Sequence, residues 1–159
     1  MTIRTGQGID FHRLEKSCDL WLGGVKIPSD KGCVAHSDGD ALLHAICDAL
    51  LGAAGLEDIG HQFPDNDEKY RNIDSKILLS ETYSLITMKG FKVINVDSTV
   101  CLESPKIAPH IPEMKRIISS ILAISAGDIA VKATTTEKMG FIGKGEGIAA
   151  MAVALLSAE

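Results

Sequence analysis

The order of segments along the chain predicts an α/β (α+β) fold, a single domain with one mixed β-sheet. β-like runs and helical runs alternate from end to end, without an internal repeat or a low-complexity linker between them. The 159 residues suffice for one well-buried core and are too few for two ordinary domains, so 1–159 reads as a single domain. A hydrophobic share of 45% and a charged share of 23% lie near globular averages and exclude a disordered or fibrous class.

Residues 3 to 12 alternate loosely and include Gly6 and Gly8, as in a strand whose backbone comes close to another element. Leu20-Trp21-Leu22, Gly23-Gly24 and Val25-Lys26-Ile27 form a hairpin pattern with a tight glycine turn, ended by Pro28. From 39 to about 54 the pattern is helical, with Gly55 placed as a carboxy-terminal cap. At ~100° per residue, Leu42, Ala45, Ile46 and Ala49 share one face, and Asp40, His44 and Asp48 share the other. This phasing predicts that His44 points away from the apolar stripe. The polar stretch 56 to 72 reads as a loop able to carry function. Asp74 to Met88 is a second helix stopped by Gly90, and Phe91 to Leu102 is strongly β-like. A third helix runs from about Ile111 to Ile124, with Pro112 in its first turn. Ile129 to Thr135 is a strand, and 140 to 147 a tight glycine-rich loop. Ile148 to Leu156 stays ambiguous, because alanine favours helix whereas the length suits a buried strand.

Composition also narrows the partners. A net charge of −5 argues against non-specific nucleic-acid binding, which needs Lys and Arg to neutralise phosphates. An anionic substrate would have to be held by metals, helix amino termini and backbone amides. The longest apolar run, Ile148 to Leu156, is too short to span a bilayer. The first eight residues lack the apolar core of a signal peptide. The expectation is a cytoplasmic protein without a membrane partner, or one in a plastid-type organelle after loss of a transit segment. Cys18, Cys33, Cys47 and Cys101 form no C-x-x-C pair and read as reduced thiols, Cys47 and Cys101 as small core residues.

Chemistry concentrates at Asp10-Phe11-His12 and at His44. Residues two apart on a strand point to one side, so Asp10 and His12 project together, and His44 can close a three-ligand set from the helix. Three protein ligands leave one tetrahedral position of zinc open, as in catalytic sites. The same residues would also suit a surface strand without a metal. Asp40 and Asp48, at i−4 and i+4 of His44, are either partners that orient its ring or solvated acids. His36-Ser37 precedes the helix, where free amides form an anion site, although Ser37 or Asp38 could equally be only a cap. Thr134-Thr135-Thr136-Glu137 combines hydroxyls that suit phosphate oxygens with an acid that suits a magnesium ion shared with them. Gly143-Lys144-Gly145-Glu146-Gly147 lacks P-loop spacing.

Taken together, these segments resemble one family, the 2-C-methyl-D-erythritol 2,4-cyclodiphosphate synthases of the non-mevalonate isoprenoid pathway. The resemblance is carried by Gly8-Ile9-Asp10-Phe11-His12-Arg13, by His36-Ser37-Asp38-Gly39-Asp40 with His44, by Asp58-Ile59-Gly60 and by Phe63-Pro64-Asp65. It continues through Pro105-Lys106 and Lys132 to Lys138, then Gly143 to Gly147, in family order over nearly the whole chain. It implies a homotrimer with interfacial active sites, helices packed on one face of each sheet, and a strand at Ile148 to Leu156.

The implied activity is that of a phosphorus-oxygen lyase. The 2-phosphate of 4-diphosphocytidyl-2-C-methyl-D-erythritol 2-phosphate attacks the β-phosphorus and releases the cyclic diphosphate and CMP. A phosphomonoester with its second pKa near ~6 is already largely ionised, so no general base is required. That agrees with a chain rich in metal ligands and lacking a nucleophile-base arrangement. The resemblance further implies zinc, or another divalent transition metal, on Asp10, His12 and His44, and magnesium or manganese on Glu137 with the substrate diphosphate. His36 and Thr135 would stabilise the transition state, and Ser37 would meet the 2-phosphate region. Asp58 and Gly60 would hold the methylerythritol hydroxyls, with Phe63, Asp65 and Asp67 on the adjoining loop. Leu102 to Ala108, including Lys106 beside a phosphate, and Ala133, Thr134, Thr135 and Thr136 would form the cytidine pocket of a neighbouring subunit. Asp10, His12, Phe141 and Lys144 complete the implied substrate contacts. Gln7, Ile9 and Lys144 depart from the family's usual His, Phe and Arg. The latter two positions face a central cavity that in the family takes an isoprenoid-like diphosphate, and lysine lacks arginine's planar fork.

Overall fold

The computed structural model describes residues 1–64 and 66–158. Strand β1 (Thr2–Lys16) is longer than the 3–12 read from sequence, and the hairpin β2 (Leu20–Leu22) and β3 (Val25–Ile27) and the short β4 (Lys31–Cys33) follow it. Helix α1 (Ala41–Ala54) and the single-turn α2 (Ile59–Gln62) precede α3 (Ser75–Met88) and β5 (Lys92–Cys101). Helix α4 (Ile111–Leu122), β6 (Ile129–Thr134), the short α5 (Gly140–Gly143) and β7 (Gly147–Ala158) complete the chain.

The main sheet has the order β4-β1-β7-β5-β6. Among the described residues only β5 and β6 pair in parallel, and α4 lies in the crossover that a parallel pair requires. The sheet is therefore mixed. β7, the segment ambiguous between helix and strand, is paired on both edges, with β1 from Thr2↔Ala158 to Arg13↔Gly147 and with β5. Tertiary pairing overrides the helix preference of its alanines. Ile148, Ala150, Ala152, Ala154 and Leu156 form its buried face, toward the helices.

Helices cover one side of the sheet. α1 packs against β1 and β7, α3 against α1, and α4 against α3 and β6. The opposite side leaves Ile3, Ile9, Phe11, Met151 and Val153 exposed. Glycine decides how close α1 comes to the sheet. A Cβ on Gly6 would lie 2.0 Å from the Ala49 carbonyl oxygen, and one on Gly8 would lie 1.9 Å from that of Ala45. Side chains at those places would push the helix away.

α1 corrects the sequence reading of its faces. His44 is only 8% exposed and Asp40 is fully buried, so the face opposite the apolar stripe is itself covered. The reason is that α1 lies between the sheet, α3 and the β2 region, a setting that one helix's periodicity does not report. The helix begins at Ala41, with Asp40 rather than Ser37 or Asp38 as its cap, accepting from the Leu43 amide at 3.0 Å. The same carboxylate accepts from Gly23 and Gly24 at 2.9 and 2.7 Å, tying the hairpin turn to the helix. Both turn glycines have positive φ, +60° and +78°, as the tight turn requires.

Other boundaries moved little. The loop read over 56–72 contains α2 and a 3-10 turn at Glu68–Tyr70, and the glycine-rich 140–147 contains α5. Cys47 is buried as expected, but Cys101 is only half-buried and Cys33 is buried; all four cysteines are free thiols. Among the described residues, no helix is long and apolar enough to cross a membrane.

Candidate metal centre and active site

Asp10 and His12 occupy the same face of β1 as Gly6 and Gly8, the face turned toward α1. Because the two glycines let the helix backbone rest against the strand, His44 on the first turns of α1 reaches the carboxylate of Asp10. Asp10 Oδ2 lies 2.8 Å from His12 Nδ1 and 3.4 Å from His44 Nδ1. One donor atom from each of the three residues falls within 4.8 Å of the others.

The geometry within this group distinguishes convergence from ordinary pairing. Asp10 Oδ2 and His12 Nδ1 are buried and close, yet neither makes a well-angled hydrogen bond. Buried polar atoms normally have such a partner, and an orphaned set aimed at one point fits a bound cation. One carboxylate and two imidazoles are the donor types of a zinc or related transition-metal site.

Charge follows the same arrangement. Burial works to raise the Asp10 carboxyl, but the adjacent imidazoles of His12 and His44 outweigh it and hold Asp10 below its ordinary value. Burial likewise works against protonating His44, but Asp10 beside it, with the charges of Asp40 and Asp38, raises its pKa. Burial pushes Asp40 up to about 6 against the effect of its three amide donors.

The two acids proposed from helical spacing do not orient His44. Asp40 caps the helix and holds the hairpin, while Asp48 accepts from the Ile59 amide at 2.8 Å. The i±4 spacing placed them on the correct helix face, but the first is drawn toward the hairpin and the second toward α2. The His44 ring instead meets Ser75 Oγ at 2.9 Å and Ser37 Oγ at 3.3 Å, both through Nε2. Ser75 carried no sequence signal, since it lies 31 residues from His44 at the start of another helix.

A cavity of about 340 Å³ opens beside these ligands, lined in part by His12, His36, Ser37, His44, Gly60 and Phe63. Six residues singled out from sequence thus share one pocket. Among the described residues, His36 Nε2 is buried without a hydrogen-bond partner. Ile59, Tyr70, Ile73 and Leu78 supply apolar wall that sequence reasoning missed, and Tyr70 meets Phe63 edge-on at 5.6 Å. A second cavity of about 200 Å³ gathers Leu102, Glu103, Pro105 to Ala108, Ala133, Thr134 and Thr135. The two linings share no residue.

Other candidates stand apart from both cavities. Asp58 caps α2 and accepts from the His61 amide and ring, each at 2.9 Å, and this pairing holds its carboxyl below the usual value. Asp67 caps the 3-10 turn. Asp65 lies outside the described residues. Glu137 is exposed on a left-handed backbone, φ +53°, its amide donating to Thr135 Oγ1 at 3.2 Å, and Thr136 Oγ1 donates to the Met139 carbonyl at 2.7 Å. Phe141 packs against Phe11 with ring centroids 6.3 Å apart, and Lys144 lines a separate cleft with Lys31 and Glu103.

Comparison with known proteins places this geometry in context. A family model described as the YgbB family matches residues 3–157. The 2-C-methyl-D-erythritol 2,4-cyclodiphosphate synthase of Bacteroides fragilis is 52% identical over 157 residues, covering 99% of both chains. The bifunctional IspDF structure from Campylobacter jejuni superposes with a TM-score of 0.95 at 44% identity, over 99% of this chain and 43% of that one. The CDP complex of IspF from Plasmodium falciparum superposes at 0.86 with 39% identity, covering 99% and 97% of the two chains.

Proposed function

Because this chain belongs to the YgbB family, we infer that it converts 4-diphosphocytidyl-2-C-methyl-D-erythritol 2-phosphate to 2-C-methyl-D-erythritol 2,4-cyclodiphosphate and CMP. It is an isoprenoid-precursor lyase. The observation that carries the chemistry is the convergence of Asp10 with His12 and His44, two residues that line one pocket together with His36 and Ser37.

The substrate's 2-phosphate is the nucleophile and its β-phosphorus the target, so the reaction brings one anion onto another. What the protein supplies is charge neutralisation and in-line placement. Asp10, His12 and His44 hold a divalent transition metal, zinc by the donor set, which when bound supplies Lewis-acid polarisation of a phosphate oxygen. Glu137 holds a second ion, magnesium or manganese, together with the substrate diphosphate. Its exposed position suits an ion that takes much of its coordination from phosphate oxygens and water. His36, with its unpartnered Nε2, and Thr135 donate to charge that develops on the phosphoryl oxygens. Ser37 positions the 2-phosphate. Asp58 and Gly60 hold the methylerythritol hydroxyls, assisted by Phe63, Asp65 and Asp67 of the adjoining loop, and Phe63 with the apolar wall excludes water around that unit. Lys106, Ala133, Thr134 and Thr136 receive the cytidine diphosphate, and Phe141 and Lys144 border it.

The active protein is a homotrimer with its sites between subunits. Two features support that reading. The metal pocket and the 102–108 pocket are disjoint within one chain, so a substrate that needs both is served where two chains meet. The exposed apolar side of the sheet offers surface that assembly would cover. The protein works in the cytoplasm on a small-molecule substrate, with neither nucleic acid nor membrane as partner.

Phosphorus NMR of the purified protein with the cytidyl substrate, zinc and magnesium tests the reading. The expected products are the cyclic diphosphate and CMP; open-chain phosphates alone would show hydrolysis instead.

A further inference from the structure

We propose that Ser75 and Asp38 form a positioning pair that fixes which nitrogen of His44 faces the metal. This inference rests on the metal-site reading above. Ser75 is the first residue of α3 and is fully buried. Its hydroxyl donates to Asp38 Oδ1, while its amide donates to Asp38 Oδ2 at 2.9 Å. Asp38 is itself fixed, its amide donating to the Ile73 carbonyl at 3.1 Å and its Oδ1 accepting from the Asp40 amide at 3.1 Å.

A serine has one hydroxyl proton, and Asp38 takes it. The oxygen therefore presents only lone pairs to His44 Nε2, 2.9 Å away. Nε2 must then carry the ring proton, a tautomer assigned from this network. Ser37 Oγ, 3.3 Å from the same nitrogen and accepting from the Gly39 amide, adds a second acceptor. The lone pair left over is on Nδ1, the atom that faces Asp10. A metal-ligating imidazole is commonly held in this way by an acceptor on its far nitrogen, and losing such a partner typically weakens metal affinity ~10–100-fold. Here the acceptor is a serine whose direction is set by a carboxylate. The pair also joins the start of α3 to the 36–40 segment, so two packed elements set the orientation of one ligand.

Cobalt titration of metal-stripped protein, followed by its visible absorption, tests the pair. Ser75→Ala is expected to weaken cobalt binding by ~10–100-fold. Asp38→Asn should weaken it comparably, because an amide can donate to Ser75 Oγ and let the hydroxyl turn its proton toward Nε2. Ser84→Ala, on the exposed side of α3, should bind as the wild type does. Long-range ¹⁵N–¹H correlation on the metal-free wild type, at a pH where the ring is neutral, should find the His44 proton on Nε2, whereas a merely structural serine would leave it on Nδ1 facing Asp10. Wild-type cobalt affinity in Ser75→Ala, or a proton on Nδ1, overturns the proposal. If Ser75→Ala does not fold, the nitrogen assignment in the wild type decides alone. Wild-type protein that takes up no cobalt overturns the metal site itself and this inference with it.

Discussion

The Cβ that Gly8 lacks would stand 1.9 Å from the carbonyl oxygen of Ala45, one residue beyond the metal-ligand candidate His44. Strand and helix backbones are thus in direct contact beside the site. Gly8→Ala cannot be absorbed by a rotamer change, because the clash is with backbone. It should lower stability by about 3 kcal/mol or more and lift His44 away from Asp10 and His12. Urea unfolding and zinc content measure the two effects, and full zinc content would show that the close approach does not set the ligand geometry.

Metal binding should weaken as pH falls, because the ligand imidazoles must be neutral. His44 has its folded pKa raised by Asp10, so proton competition begins above the ordinary histidine value of ~6.5. In metal-free protein the raised His44 pKa contributes stability that is present below the unfolded value and is lost as pH rises through the folded one. Asp10, with a lowered pKa, contributes stability that is present above its unfolded value and is lost as pH falls through the folded one. The pair therefore supports the metal-free fold best between these limits. Zinc affinity from pH 5.5 to 8.5, with His44→Ala as control, checks this. The variant should lose zinc yet remain assembled, and an affinity flat with pH in the wild type would contradict it.

Asp40→Ala should cost about 3 kcal/mol or more, since three buried amides, those of Gly23, Gly24 and Leu43, lose their acceptor at once. Burial raises Asp40 to about 6, above the ~3.9 of an unfolded aspartate, so protonation favours the folded state. The wild-type advantage over the variant should widen as pH falls from about 6 toward 4. Denaturation midpoints of both proteins across that range test the sign.

Val153→Glu places a charge in the middle of the exposed apolar sheet face, beside its β1 partner Gln7. Sedimentation should show the proposed trimer dissociating, with helical content retained because the face turned toward α1 is untouched. A fully trimeric variant would show that this face is not the interface.

The helix periodicity of 41–54 was legible because apolar spacing and terminal glycine agree along one segment, and Gly55 takes the left-handed conformation expected of it. The Asp10-x-His12 spacing was legible too, because a strand's period of two puts both side chains on one face whatever lies above. Gly6 and Gly8 announced a close approach without naming what approached. By contrast, β7 has local preferences that point both ways, and only its position between β1 and β5 makes it a strand. The surroundings of His44 were misread for the same reason: spacing along one helix selected Asp40 and Asp48, whereas the partner came from α3.

From the residues alone follow the α+β class, the segment boundaries to within a few positions, the candidate ligand trio, and the resemblance that names the chemistry. All of these reside in local pattern and motif order. Only the tertiary structure decides that α1 is buried on nearly every side, that two separate pockets divide the candidate residues, and that Ser75 with Asp38 orients His44. Those depend on which elements pack together, and the contacts that determine this join residues far apart in the chain.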